Sequence, residues 1–283
     1  MTEPERLERL WEREAPAADQ RGSPMPDALR TRYAGSLEIP LRDDRPTLLV
    51  NFVSTIDGVV ALGRGEEPGG GVISGFFEPD RFVMALLRAV ADVLLVGAGT
   101  IAGGSSSSWT ADHLAPDLAP AFGQWRRDMG LAPQPTTVIV TGSGEVRLGR
   151  RGVTDPSLPV VFATTPRGAE RLGRIDLPDH VRVDVAGTGE RLSPEDLAAF
   201  LSHLDARVVL CEGGPHLLAD LVAADVADEL FLTVAPQIVG RAEAGRLGLV
   251  EGLELGADDA RWQELVSVKR SGEHLFLRYR RRG

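Results

Sequence analysis

Short apolar runs alternate with segments of helical period along most of this chain. Thr47-Leu48-Leu49-Val50-Asn51-Phe52-Val53-Ser54 is almost continuously apolar, the pattern of a strand buried on both faces. Asp92 to Val96, Thr136 to Val140, Pro159 to Ala163, Val181 to Val185, Arg207 to Leu210 and Glu229 to Val234 predict further strands. Between them, Val83, Leu86, Leu87 and Val90 form one helical stripe, and Leu197, Phe200, Leu201 and Leu204 form another. Leu217, Leu218, Leu221 and Val222 form a third, and a shorter helix is predicted from Pro166 to Leu172. Pro79, Pro194 and Pro215 stand near helix starts, where a missing N–H costs nothing, and Ser193 supplies a cap. Trp262 to Arg270 and His274 to Arg281 flank Ser271-Gly272-Glu273 and predict a hairpin. The alternation predicts an α/β fold, a three-layer α/β/α sandwich with a mixed, mostly parallel sheet and a C-terminal antiparallel hairpin.

Outside that alternation lie three segments. Residues 1–45 read as an N-terminal helical extension and linker, with Leu7, Leu10 and Trp11 on one face of a helix from Glu3 to Glu14, and residues 46–283 as the domain proper. The extension is expected to pack on the domain or on a partner subunit. Gly63 to Gly75 holds six glycines in thirteen residues, a loop able to close over a site. Gly103 to Pro135 is a long Ser-, Pro- and Ala-rich excursion.

Composition narrows the function classes. The 283 residues are 43% hydrophobic and 25% charged, enough for a substantial core. A formal charge of −10 speaks against nonspecific nucleic-acid binding, and no apolar run reaches membrane-spanning length. The acidic N-terminus lacks a signal-peptide pattern, so a cytoplasmic protein is expected. One cysteine, Cys211, excludes an internal disulfide framework and reads as a core residue. His113, His180, His203 and His274 show no ligand spacing, so no metal is expected, and His216 reads as a surface or capping residue.

The candidate chemistry gathers around Cys211-Glu212-Gly213-Gly214-Pro215-His216-Leu217-Leu218, where a buried strand passes through two glycines into a helix. Such a turn offers backbone N–H groups and a positive dipole end to a phosphate. Gly97-Ala98-Gly99-Thr100-Ile101-Ala102 is a second junction of this kind. It matches a dinucleotide fingerprint literally, but the excursion at 103–135 replaces the strand and acid that the fingerprint requires. Glu212 stands at the carboxyl end of an apolar strand, where open α/β sheets bind ligands. Asp80 precedes Val83 by three residues and Leu87 by seven, so it shares their inward face. Asn51 and Ser54 belong to the first apolar strand, and Asp57 follows in a Thr55-Ile56-Asp57-Gly58 turn, where bonding its own backbone is the simplest role.

Taken together, Asn51 to Gly58, Val96 to Thr100, Glu212 to Pro215, Asp228-Glu229-Leu230 and Ala235-Pro236-Gln237-Ile238-Val239-Gly240 occur in an order that resembles the reductase domain of bacterial riboflavin biosynthesis. That domain is similar in fold to dihydrofolate reductase. The resemblance implies an NADPH-dependent reductase, usually a homodimer, acting on the ribose of 5-amino-6-(5-phosphoribosylamino)uracil. By position it implies that Gly97, Ala98, Gly99, Thr100, Gly213, Gly214, Pro215 and Leu217 serve the cofactor phosphates. Thr141, Gly142, Ser143, Thr164 and Thr165 would lie along its adenosine half. Asn51, Ser54 and Asp57 would face substrate, with Asp80 and Glu212 as the catalytic acids. The zinc deaminase motifs of bifunctional members are absent, asparagine stands at 51 where lysine is common, and Gly103 to Trp109 replaces the segment carrying a cationic phosphate anchor. Asp80 also resembles the pterin-binding carboxylate of dihydrofolate reductase, so a dihydrofolate or dihydropteridine reductase is the alternative, and a nucleotide-binding protein without turnover a third reading. Asp228 to Val234 beside Pro236 to Gly240 is the surface expected to meet a second copy.

Overall fold

The computed structural model describes residues 5–14, 20–22, 24–63, 70–103, 108–146, 148–149, 151–241 and 245–282. Ten strands form the main sheet: β1 (Glu8–Glu12), β2 (Thr47–Thr55), β3 (Val93–Gly97), β4 (Thr136–Thr141), β5 (Val160–Thr164), β6 (Val181–Val185), β7 (Val208–Cys211), β8 (Glu229–Ala235), β9 (Gln263–Ser271) and β10 (His274–Arg281). Their spatial order is β1-β9-β10-β8-β2-β7-β3-β4-β5-β6. From β8 to β6 all neighbours are parallel, while β10, β9 and β1 add on antiparallel. The mixed sheet and C-terminal hairpin agree with the sequence pattern.

Eight helices matter to the site: α1 (Asp27–Tyr33), α2 (Gly70–Ser74), α3 (Glu78–Val90), α4 (Ala98–Gly103), α5 (Ala119–Asp128), α6 (Pro166–Leu172), α7 (Pro194–Ser202) and α8 (Pro215–Ala223). Successive strand residues point to opposite faces, and the core divides accordingly. Leu49, Leu94, Ile139, Phe162 and Leu210 pack on α3 and α5 through Phe82, Leu86, Phe122 and Trp125. Leu48, Val50, Leu95, Val138 and Cys211 pack on α7 and α8 through Leu197, Leu201, Leu217 and Leu221. Ser193 closes a capping box with Asp196 at the start of α7.

Between β2 and β3 the chain crosses the position later filled by β7, and then winds outward through β4, β5 and β6. From β7 it crosses back through α8 to β8, on the other side of β2. The direction of winding therefore reverses around β2, β7 and β3. A crevice opens at the carboxyl ends of strands at such a reversal.

Several expectations change. Glu3 to Glu14 is not a helix where described: Glu8–Glu12 pairs with β9, Leu7 is buried, and Leu10 and Trp11 are exposed. Spacing of three and four apolar residues also suits a short strand with a bulge, and here the open edge of β9 supplied the backbone partners. Leu29, Tyr33, Leu37 and Ile39 join the α3 core, so the N-terminal segment packs on the domain, one of the two placements expected of it. The glycine-rich loop lies outside the described residues at 64–69, and its end is the helix α2. The excursion after Gly103, also outside them at 104–107, contains α5 with Phe122 and Trp125 fully buried. No helix among the described residues is long and apolar enough to cross a membrane.

If α5 is core rather than loop, Trp125→Ala should lower the unfolding free energy by about 3 kcal/mol in a denaturant titration. A change near zero would return the excursion to the surface.

Candidate functional site

The two glycine junctions meet at the carboxyl end of the sheet. β3 and β7 are hydrogen-bonded neighbours, and their ladder continues past the strands with Glu212 N–H donating to Leu95 O at 3.1 Å and Gly97 N–H to Gly213 O at 2.9 Å. Gly213 takes φ +118°, a conformation that L side chains rarely adopt, and it joins Gly214 through a cis peptide bond. Thr100 Oγ1 lies below both glycines, 3.5 and 3.3 Å from the positions that added Cβ atoms would take. Gly99 and Gly142 open onto free space. Bare backbone along three neighbouring strand ends is the surface a dinucleotide needs, so these residues fit a nicotinamide cofactor. Pro215 starts α8, whereas Leu217 is a core residue and supports the turn from behind.

Glu212 and Arg88 form a buried ion pair. Arg88 Nε is 3.0 Å from Glu212 Oε1 and Nη2 is 2.6 Å from Oε2, both side chains being almost inaccessible. Arg88 Nη1 also donates to Thr110 O at 3.3 Å, and the guanidinium sits 5.1 Å from the Trp109 ring centroid. Glu212, expected as a catalytic acid, has both oxygens committed to a guanidinium and instead anchors the glycine junction to α3. Arg88 was overlooked in sequence, although an arginine eight residues after Asp80, on the same helical face, was a usable signal.

Asp80 is 7% exposed in the first turn of α3. Burial pushes its carboxyl up to about 6, opposed by hydrogen bonds from Thr233 and Ser74 and aided by the charge of Glu212. Thr233 pairs with Val53 and Phe231 with Asn51, so Thr233 and Asn51 line the α3 face. Ser54 follows Asn51 by three residues and therefore faces the opposite layer, which separates two expected substrate contacts. His274 Nε2 donates to Ser74 O at 3.1 Å, and the ring stacks on Phe77 with centroids 4.0 Å apart, fixing the α2–α3 corner.

Asp57 is a loop anchor. Thr55 Oγ1 bonds it at 2.6 Å and the Gly240 and Val239 N–H groups donate to it at 2.6 and 3.3 Å. These bonds, that from Thr55 first, hold its carboxyl below the usual range. His216 bonds Glu251 O at 3.0 Å. Thr164 and Thr165 are fully buried, their hydroxyls donating to Thr141 O and Gly142 O, so they brace the turn after β4 from beneath. A separate cleft of about 260 Å³ beside β1 is lined by Arg9, Arg13, Arg278 and Arg280. Those arginines are paired with Glu12, Glu264 and Glu229, which makes the cleft a salt-bridged seam far from the glycines.

Arg88→Met should destabilise the protein by about 3 kcal/mol in chemical denaturation, because it leaves the Glu212 carboxylate buried without its partner. The double variant Arg88→Met/Glu212→Met should recover most of that loss. If it does not, the pair is not the reason for the instability.

The model of the RibD C-terminal domain family matches residues 46–275. The 2,5-diamino-6-ribosylamino-4(3H)-pyrimidinone 5′-phosphate reductase of Methanothermobacter thermautotrophicus is 28% identical over 242 residues, covering 84% of this chain and 100% of that protein. Its counterpart from Archaeoglobus fulgidus is 25% identical over 198 residues, 69% of this chain and 83% of that protein. Among solved structures, Acinetobacter baumannii RibD superposes with a TM-score of 0.64 at 18% identity, covering 85% of this chain, which spans 59% of that one. A pyrimidine reductase-like protein from Corynebacterium diphtheriae gives a TM-score of 0.61 at 19% identity, covering 85% of this chain and 93% of that one. At those identities the likeness speaks for the fold, whereas the family model extends over most of the sequence: the chain belongs to the RibD C-terminal domain family.

Proposed function

We propose that this protein is an NADPH-dependent reductase of a phosphoribosylaminopyrimidine, the substrate type named for its archaeal relatives. The observation that carries the reading is that bare glycine backbone and a buried acid, Asp80, which feels the charge of Glu212 beside those glycines, both stand at the carboxyl end of the sheet. The reduced nicotinamide supplies the hydride when bound. The protein's own share is to hold phosphates along Gly97 to Thr100 and Gly213-Gly214, and to deliver a proton. Asp80 is the group suited to that proton, since its raised pKa of about 6 leaves far more of it protonated near neutral pH than an ordinary carboxyl would be. The Thr233 and Ser74 hydroxyls temper the rise in its pKa, and Asn51 lines the same face. Arg88 and Glu212 do not touch the reacting atoms in this reading. They keep the acid's helix and the glycine junction in register.

As a proton donor Asp80 acts in its protonated form. Its folded pKa lies above the ordinary value, so the activity it supports is full at low pH and declines as pH rises through about 6. Asp80→Asn should abolish that limb and lower kcat by roughly 10²-fold while leaving NADPH affinity unchanged. Full activity in the variant, with the limb intact, would remove Asp80 from the chemistry. NADPH consumption should be followed with ribosylaminopyrimidine phosphates and dihydropterins side by side. Turnover of the pterin alone would replace the substrate, and turnover of neither would favour binding without catalysis.

A homodimer belongs to the same reading. β8 has both edges paired, but Leu230, Leu232 and Val234 on one of its faces are only half-buried, and the expected surface runs from that face into the loop after it. There Ile238, Ile56 and Phe76 are 74%, 60% and 65% exposed, and Ile56 N–H bonds Gln237 O at 2.9 Å. Sedimentation should give a dimer at micromolar concentration and a monomer for Ile238→Lys. A wild-type monomer would overturn this.

A further inference from the structure

Arg278 and Arg280 stand on one face of β10, opposite Phe231 and Glu229 of β8. Both guanidinium groups turn the same edge to Glu229. Arg278 Nε and Nη2 lie 2.8 and 2.6 Å from its Oε2, and Arg280 Nε lies 2.8 Å from its Oε1. Arg278 Nη2 also donates to Glu38 O at 2.7 Å. This seating leaves Nη1 of each arginine without a hydrogen bond to the described residues. Arg278 is 6% exposed, and among the described residues the fully buried side-chain atoms without a partner are Arg32 Nε and Trp125 Nε1. Nη1 of Arg278 therefore keeps an opening, and that opening is the cleft beside β1, which both arginines line.

Charge in this cleft is unevenly shared. Glu229 is the one carboxylate held by both Arg278 and Arg280, and Glu12 is shared by Arg9 and the buried Lys269. Four cations thus meet two carboxylates. The segment 36–40 lines the cleft from another side, and there the Glu38 carboxylate makes no ion pair or hydrogen bond with the described residues. Glu14, exposed on the lining, makes none either. We propose that this cleft binds a small zwitterion of the amino-acid class, its carboxylate taken by Nη1 of Arg278 and Arg280 and its ammonium group by Glu38. The site is separate from the glycine crevice and does not rest on the reading of that crevice.

The physical case is unmatched charge of both signs in one cleft. Two guanidinium groups offer a carboxylate charge-assisted bonds, and Glu229 already holds both in place, so little side-chain freedom is lost on binding. Burial matters here, since an ion pair open to bulk water is worth little. A simple anion such as phosphate would gain the same arginines but would also meet the unpaired carboxylates of Glu38 and Glu14. A diamine would suit those carboxylates and be repelled by the arginines. A zwitterion satisfies both. The cleft volume of about 260 Å³ lies just below the roughly 300–1,000 Å³ of sites for drug-sized ligands, which suits a molecule the size of an amino acid.

The test is a melting screen of the full chain with the standard α-amino acids and γ-aminobutyrate, followed by calorimetric titration of the best of them. Succinate, inorganic phosphate and putrescine serve as controls of a single sign. At least one amino acid should raise Tm saturably, and the controls should bind about tenfold or more weakly. Glu38→Gln removes a carboxylate that has no partner, so it should melt as wild type does and lose about tenfold in affinity. Arg280→Gln should weaken binding at least as much, and Arg278 remains to pair Glu229 in that variant. If Arg280→Gln fails to fold, Glu38→Gln and the controls decide the matter. Saturating NADPH should leave the amino-acid affinity unchanged. The site would be overturned by the absence of any amino-acid shift, by equal binding of succinate or phosphate, by full affinity in Glu38→Gln, or by competition with NADPH.

Discussion

The buried pair of Arg88 and Glu212 ties together the two parts of the crevice that chemistry requires to be held in place. Glu212 immediately precedes the glycine turn, and Arg88 is two turns of α3 beyond Asp80. An ion pair in such a position need add little net stability, since desolvation of both charges offsets much of their attraction. Its effect is on geometry. A guanidinium bonded to both oxygens of one carboxylate fixes the rotation and height of α3 against β7, and hence Asp80 against the glycines. Thr110 O and the Trp109 ring extend the same contact into the start of the excursion.

The N-terminal segment reinforces this arrangement from outside the family's matched region. Arg32, near the end of α1, is ion-paired with Glu78 in the first turn of α3 and with Asp117, and lies 4.7 Å from the Phe82 ring centroid. Lys269, buried on β9, bonds Ala34 O at 3.2 Å and sits 4.3 Å from the Tyr33 ring centroid. Burial lowers its pKa, with the charge of Glu12 opposing that shift. The helix bearing Asp80 is thus held at one end by α1 and at the other by Arg88 and by Arg126, whose guanidinium bonds the carbonyls of Arg88, Ala89 and Ala91.

Two kinds of threonine and acid emerge at the strand ends. Thr164 and Thr165 are buried and finish hydrogen bonds that the turn after β4 cannot make for itself. Asp57 does the same for the loop at Val239 and Gly240. Such groups carry the polar signature of ligand residues in a sequence, yet their bonding capacity is used within the chain. Ser143, exposed in the same turn, accepts the Glu145 N–H at 3.2 Å and keeps its hydroxyl proton for solvent or a ligand.

The sequence by itself determined the elements whose reason is local. Continuous apolar runs marked β2, β3, β5 and β7, because strands covered by helices on both faces leave no room for polar residues. Proline, serine and apolar stripes marked α3, α7 and α8, and the glycine pairs marked the turns where backbone is bare. Asp80 was legible because a carboxylate on an apolar helical face has few roles. Only the tertiary structure decided matters that depend on distant partners. Leu10 and Trp11 fit helix or strand equally until the edge of β9 was there to pair with. Phe122 and Trp125 were lost in a Ser- and Pro-rich context that concealed a core helix. Glu212 read as a catalytic acid, and although Arg88 shares the inward face of α3 with Asp80, only the fold set the two charges against each other. Arg278 and Arg280 converge on Glu229 because β10 lies beside β8, and no pattern within either strand records that.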